Sequence, residues 1–267
     1  MSEMLSLNFM QNAFLGGILV SIICGFVGSL IVINKMSFIA GGVAHGAYGG
    51  IGLAFFLGIS PLLGASVFSL FLALLVAFIT QKNKERFDSV IGAIWAFGMA
   101  IGIILIDLSP GYNTDLMSYL FGSILAVDKS TLIFIGVCDL VFVMLILIFY
   151  RQFLSVSFDM EFAKLRGVKT ELIYYLLVAM MAFSVVATIQ VVGLILVIAL
   201  ITIPPFIAEK ISKNLLCMMI NATFISMFFC IFGLILSYKF NLTSGASIIL
   251  VASVIFFIST FIFRHKS

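Results

Sequence analysis

The sequence TLIFIGVCDLVFVMLILIFY, residues 131–150, contains a single charged residue, Asp139. An α-helix needs about 20 mainly apolar residues to cross the hydrocarbon core of a bilayer. Transmembrane β-strands are shorter and alternate in polarity, which this segment does not do. The segment therefore predicts a membrane-spanning helix.

The whole chain is similarly apolar. It has 267 residues, of which 63% are hydrophobic and 9% charged, whereas soluble domains have about 45–50% apolar and about 25% charged residues. A soluble enzyme, a nucleic-acid binder and a disordered chain are excluded. The sequence predicts one all-α transmembrane domain over 1–267, a polytopic bundle of about nine helices at 12–33, 38–58, 61–80, 89–108, 131–150, 172–189, 191–208, 215–238 and 244–263.

The distribution of Lys and Arg predicts the orientation of the bundle, because basic residues are retained on the cytoplasmic side. With the N-terminus outside and the C-terminus inside, only Lys129 and Lys239 among the basic residues lie outside. The outer segments instead carry the acidic residues Glu3, Asp107, Asp115 and Asp128.

The second segment contains AGGVAHGAYGGIG at residues 40–52. Residues three and four apart share one helix face, and this face carries Gly42, His45, Gly46, Gly49 and Gly50. Small residues at such spacing let two membrane helices approach closely. The face indicates either simple helix packing or the wall of a pathway, and a segment so rich in glycine either spans the membrane or re-enters it.

One histidine and one carboxylate lie well inside the apolar segments, His45 and Asp139. Such residues usually face a polar pathway, and imidazole is a common ligand of transition metals. We therefore predict that both belong to a metal pathway. The alternatives are a neutral histidine bonded to a neighbouring helix, and an aspartate that is protonated or paired within the bundle.

The longest inside connection is 151–171. Ser157 or Asp159 can cap a helix there, and Gly167 suits the left-handed position after its end, so we expect a short helix near 159–166. It is either an interfacial anchor or a docking element. The residues concerned are Phe158, Asp159, Glu161, Phe162, Arg166 and Gly167.

Pro204 and Pro205 lie near the inner end of the seventh segment. Proline removes a backbone donor and allows a kink. The pair therefore indicates a gate or a helix end.

Five blocks of sequence resemble one family in the same order along the chain. They are MSFIAGGVAH (36–45), YLFGSIL (119–125), VSFDMEFA with Gly167 (156–167), QVVGLILV with Pro204 (190–204) and LTSGA (242–246). Together they are similar to the bacterial ABC permeases for metal uptake, the zinc, manganese and iron class. That family usually has Asp at the position of Gly41, so this chain keeps the imidazole without the carboxylate.

The resemblance implies a permease subunit of an ATP-driven importer in the bacterial cytoplasmic membrane, with transiently bound zinc or manganese and no permanent cofactor. It implies three partners: a second copy of the chain, a cytoplasmic ATP-binding subunit docked on 151–171, and an external metal-binding protein. The chain itself has no phosphate-binding loop, so we expect ATP to be hydrolysed by a separate protein and this chain not to be an enzyme. Its composition, with 9% charged residues, predicts that it does not bind nucleic acid.

Two alternative functions can be compared with this one. A secondary carrier or channel without an ATPase would need several intramembrane charges for ion coupling, and the apolar segments offer His45 and Asp139. An intramembrane enzyme would need a nucleophile with a base, or a metal motif such as H-E-x-x-H; one histidine in the apolar segments and no such motif argue against it.

Overall fold

The computed structural model describes residues 8–82, 87–109, 124 and 127–263, and within these ranges the regular structure is entirely helical. The helices are α1 (Asn8–Ile33), α2 (Ser37–Leu57), α3 (Pro61–Lys82), α4 (Phe87–Asp107), α5 (Lys129–Ile148), α6 (Tyr150–Phe158), α7 (Met160–Leu165), α8 (Thr170–Val192), α9 (Leu194–Ile211), α10 (Leu215–Phe240) and α11 (Ser244–Phe263).

The predicted polytopic helical bundle is confirmed. Eight of the described helices, namely α1 to α5, α8, α10 and α11, are long and apolar enough to cross a membrane. The seventh predicted segment, 191–208, forms α9, which has 18 residues with two prolines inside and is not one of these eight. The glycine-rich second segment is one continuous helix of 21 residues, which is long enough to span.

Several helix ends are defined by local hydrogen bonds. Asp128 caps α5 by accepting from the backbone N–H of Thr131, and it also accepts from the hydroxyl of Ser130, 2.5 Å away. These bonds, led by the one from Ser130, lower the pKa of Asp128 to about 2. Asn214 caps α10 in the same way, accepting from the N–H of Cys217 at 2.8 Å. Side-chain caps of this kind satisfy donors that a helix leaves free at its first turn.

The helices cluster into two compact units. The first unit consists of α1, α5, α9, α10, α11 and the end of α8. In it, α1 packs against α5, α9 and α10. A Cβ added to Gly25 would lie 2.7 Å from the backbone nitrogen of Thr223. The α1 and α10 backbones are therefore in direct contact at this glycine.

The second unit consists of α2, α3, α4, α7, most of α6 and most of α8. Its central helix is α2, which packs against both α3 and α4 and is buried along most of its length. The side chain of Asn34, just before α2, donates a hydrogen bond to the hydroxyl of Ser157 at the end of α6, at 2.8 Å. The prediction of one transmembrane domain stays a prediction.

Helix α6 was not predicted. The fifth apolar segment ends as a helix at Ile148, and a separate helix begins at Tyr150. Phe153 and Val156 are buried three residues apart, whereas Arg151 is exposed. This amphipathic pattern is typical of a helix on a surface rather than of one that spans, so the inside connection begins with a helix and not with a loop.

Some predictions fall outside the described residues. They concern Glu3 and Asp115, together with all of the block at 119–125 except Ile124. The side on which each chain terminus lies also stays a prediction.

Candidate functional site

The glycine face of α2 lies against both of its neighbours. A Cβ added to Gly98 of α4 would lie 2.5 Å from the Cα of Gly46, and one added to Gly49 would lie 2.9 Å from the carbonyl oxygen of Gly98. On the other side, a Cβ at Gly50 would overlap the carbonyl oxygen of Gly64 in α3. Helix backbones can approach this closely only where the Cβ is missing.

The four predicted glycines are not equivalent. Gly49 and Gly50 face backbone atoms, which cannot move aside without displacing a helix. A Cβ at Gly42 would meet Cγ2 of Ile91, and one at Gly46 would meet Cδ1 of Leu72. Leu72 Cδ1 is the end of a flexible side chain, whereas Cγ2 of Ile91 is a branch at Cβ that moves only by rotation about χ1. The added Cβ atoms that would meet backbone atoms are those at Gly49 and Gly50.

His45 is half-buried in α2, one turn after Gly41. Its Nδ1 lies 2.9 Å from the carbonyl oxygen of Gly41. A carbonyl oxygen can only accept, so Nδ1 carries the proton and donates it. In the neutral ring, the lone pair is then on Nε2, which is the atom that could bind a metal ion.

Trp95 of α4 covers the ring of His45. The two ring centroids are 3.8 Å apart and the planes are tilted by 31°. The indole Nε1–H of Trp95 donates to the sulfur of Met99, one turn further along α4, at 3.1 Å. This residue was missed from the sequence, although Trp95 is the only tryptophan of the chain. It also follows Ile91 and precedes Gly98 at the four- and three-residue spacing of one helix face.

Asp139 belongs to the first unit, on the buried face of α5 that also includes Cys138 and Phe142. Its side chain is only 6% exposed, and within the described part of the chain neither carboxyl oxygen has a hydrogen-bond partner. Leaving a buried charge without a partner is costly in an apolar environment. Among the described residues, no hydrogen bond explains why the carboxyl group of Asp139 is buried.

The described residues do not bring three or more His, Cys, Asp or Glu side chains together in a way that could hold a metal ion. His45 lies in the second unit and Asp139 in the first. Their shared metal pathway stays a prediction.

The prolines of α9 lie inside the helix, which continues beyond them to Ile211. A helix end at Pro204 and Pro205 is therefore wrong. Since proline has no N–H, the carbonyl groups of Leu200 and Ile201 lose their donors one turn earlier. The helix begins after Gly193, whose φ of 81° and ψ of 169° are essentially accessible to glycine alone.

The predicted short helix of the inside connection is confirmed as α7. Asp159, rather than Ser157, caps it and accepts from the N–H of Phe162 at 2.9 Å. Gly167 follows with φ of 81°, in the left-handed region. The Arg166 guanidinium lies 5.0 Å from the centre of the Phe162 ring.

The exposed surface of this segment carries several large apolar side chains. Phe158 is 75% exposed, Phe162 51% and Leu165 87%. Glu161 and Arg166 are exposed beside them. Contiguous exposed apolar side chains with a polar border are typical of a surface that contacts another protein or a membrane.

These features define a polytopic membrane protein with a tightly packed glycine helix that carries a histidine, and a short helical element between two spans. Residues 6–263 match the ABC 3 transport family. The chain belongs to this family, and the resemblance to metal-uptake permeases of ABC transporters is confirmed. It is a multi-pass protein of the bacterial cytoplasmic membrane.

Three relatives illustrate the similarity. The chain is 49% identical over 259 residues to an uncharacterized membrane protein of Synechocystis sp., covering 97% of this chain and 92% of the relative. It is 34% identical over 259 residues to the manganese transport system membrane protein MntC of Listeria monocytogenes, with the same coverage of both. The structure of PsaBC from Streptococcus pneumoniae in complex with Fab superimposes with a TM-score of 0.88 at 32% identity, covering 100% of this chain and 98% of that one.

Proposed function

We propose that the chain is the permease subunit of an ATP-driven importer of a divalent transition metal, with Mn²⁺ as the first cargo to test and Zn²⁺ as the second. Membership of the ABC 3 transport family supports an ATP-driven system over the secondary carrier. The order of the two metals rests on the relatives, because MntC of Listeria monocytogenes and ScaB of Streptococcus gordonii are named for manganese.

The observation that carries the proposal is the state of His45. Its Nδ1 is occupied by the carbonyl of Gly41 at 2.9 Å, which leaves Nε2 as the free ligand atom on a helix buried inside the second unit. One imidazole binds a divalent metal weakly. Weak binding suits a transport step, since cargo that is held tightly would not be released on the other side.

Position 41 is Gly rather than the Asp that related permeases usually have. A metal ion at His45 would therefore need further ligands. A second copy of the chain would bring a second His45, so the proposal includes a homodimer with the path between the copies. Asp139 remains a candidate for another step of the path. A carboxylate together with imidazole suits Mn²⁺, whereas imidazole ligands alone favour Zn²⁺.

The proposed partners follow from the surface of α7. A separate ATP-binding subunit would dock on Phe158, Phe162 and the residues around them, and an external protein would deliver the metal from the opposite side. The exposed apolar side chains of α7 support docking, because interface energy is concentrated in a few aromatic and Arg residues. The chain would then transport without hydrolysing ATP itself.

The test is metal uptake by vesicles that contain the permease with its ATPase. We expect His45→Ala to abolish ATP-dependent uptake of radioactive Mn²⁺ while the amount of permease in the membrane is unchanged. His45→Asn is the matched control, since its amide can still donate near the position of Nδ1 but has no atom at the position of Nε2. Normal uptake by either variant would contradict a ligand role for His45, and uptake without ATP would favour the carrier.

A further inference from the structure

The contact between α2 and α4 holds an aromatic ring against the candidate ligand. Gly98 lies against the backbone of Gly46, and this close approach brings Trp95, one turn before Gly98, over the imidazole of His45. The centroids of the two rings are separated by 3.8 Å. Both residues belong to the second unit, so one compact body defines their geometry.

The indole ring is itself held in place. Its only polar atom, Nε1, donates to the sulfur of Met99 at 3.1 Å. Rotating the indole away from His45 would break this hydrogen bond. The bond therefore favours the orientation in which the indole covers the imidazole.

Two constraints then act on His45. The hydrogen bond from Nδ1 to Gly41 fixes the tautomer, and the indole face fixes the plane of the ring. Together they determine where Nε2 points. In addition, an imidazole that binds a divalent metal becomes more positive, and the negative face of an indole within about 6 Å stabilises positive charge.

We propose that Trp95 is a positioning residue for metal capture, which holds the His45 ring with Nε2 available and stabilises the metal-bound imidazole. This inference deepens the proposed function and rests on it. The indole does not bind the metal. It makes His45 a better ligand than a freely rotating histidine would be.

The first experiment measures ATP-dependent Mn²⁺ uptake at varied metal concentration. Trp95→Leu should raise KM by about threefold to thirtyfold, the range expected for loss of a cation–aromatic contact, with kcat changed less than twofold. Trp95→Phe keeps an aromatic face and should restore KM to within about threefold of the wild type. Met99→Leu, which removes only the acceptor of Nε1, should give an intermediate KM.

A second experiment does not depend on transport. Because Trp95 is the only tryptophan in the chain, it reports directly on this contact. In the full-length permease, purified alone in lipid nanodiscs, Mn²⁺ at Nε2 of His45 should quench the fluorescence of Trp95 in a saturable way. His45→Ala should abolish the saturable quenching, and Mg²⁺, which imidazole binds poorly, should not cause it in the wild type.

The outcomes separate the two proposals. If His45→Ala transports normally, the proposed function fails. If His45→Ala is inactive but Trp95→Leu keeps the KM of the wild type, the role of Trp95 is wrong and the proposed function stands. If Trp95→Leu does not accumulate in the membrane, Met99→Leu decides: a KM raised above that of the wild type supports the inference, and an unchanged KM overturns it.

Discussion

The carbonyl oxygen of Ile201 in α9 lies against Gly28 in α1, so that a Cβ added to Gly28 would be 2.6 Å from this oxygen. Pro205 has no N–H, which leaves the Ile201 carbonyl without its usual partner within the helix. The same Cβ would lie 3.1 Å from Cγ of Pro205. Because Gly28 has no side chain, α1 can approach α9 at the point where Pro205 removes a hydrogen bond of the α9 backbone. A Cα–H contact to the Ile201 carbonyl can form there.

We expect Gly28→Ala to separate α1 from α9, because the atom that it would meet belongs to the backbone and cannot rotate away. Overpacking of this kind costs about 1–3 kcal/mol. The midpoint of thermal unfolding in detergent should fall by several degrees, with a loss of transport if α9 is a gate.

Gly136→Ala in α5 is the matched control, since nothing lies within 4 Å of a Cβ added there. Alanine favours the helical conformation over glycine by about 1 kcal/mol, so this variant should be as stable as the wild type or more stable. Equal unfolding midpoints for the two variants would show that the contact between Gly28 and Ile201 does not limit stability.

The glycine face of α2 allows a graded prediction. At Gly50 a Cβ would meet the carbonyl oxygen of Gly64 and lie 2.6 Å from Cβ of Phe68, whereas at Gly46 it would meet only the end of Leu72. Gly50→Ala should therefore destabilise the protein clearly more than Gly46→Ala, by about 1–3 kcal/mol. The larger substitution Gly46→Leu should exceed what Leu72 can accommodate and prevent assembly or transport.

Gly92→Ala in α4 is the control for this series, because a Cβ there meets nothing within 4 Å. All of these variants can be compared by the fraction that elutes as a single species after heating. A tolerated Gly50→Ala would mean that α2 and α3 are further apart in the membrane than their glycines allow.

The helices themselves could be predicted from the sequence because a segment in lipid must satisfy its own backbone groups, and only a helix does so within one segment. The last predicted segment, 244–263, has the same bounds as α11 (Ser244–Phe263). The cap of α7 at Asp159 was predictable for a similar reason, since it depends only on neighbours in sequence.

The contacts of the site could not be predicted in the same way. Most of the spanning helices are apolar on every face, so their periodicity does not show which face is buried or which neighbour it meets. The pairing of His45 with Trp95 and that of Gly28 with Ile201 join residues far apart in sequence. Helix α6 was missed because Arg151 and Gln152 follow the apolar run and indicate a loop, and the break at Phe149 has no Gly or Pro to mark a new helix.

The difference between eight and nine spans can be decided by labelling. Three helices, α8, α9 and α10, lie between Lys164 and Thr243. If all three cross the membrane, cysteines introduced at Lys164 and Thr243 lie on opposite sides; if α9 does not cross, they lie on the same side. We expect Thr243→Cys to react with an impermeant thiol reagent in intact cells and Lys164→Cys to react only after lysis.

The background for this labelling should carry Cys217→Ser, because Cys217 is the exposed cysteine among the described residues. Reaction of both introduced cysteines from the same side would remove α9 from the spans. Reaction of Lys164→Cys alone in intact cells would reverse the orientation that the basic residues predict.

The last prediction concerns α7. In an ABC importer whose permease has no phosphate-binding loop, ATP hydrolysis in one protein must be coupled to movement of another through a contact between the two. In α7, Phe162 is half-exposed, and the Arg166 guanidinium lies 5.0 Å from the centre of its ring. Truncating an aromatic anchor typically costs about 2 kcal/mol, or about 30-fold in affinity. Phe162→Ala should therefore weaken co-purification of the ATP-binding subunit and lower metal uptake per ATP hydrolysed. Phe257→Ala, the same change at a similarly exposed phenylalanine of α11, should alter neither. If Phe162→Ala binds its partner and transports as the wild type does, α7 only lies on the membrane surface.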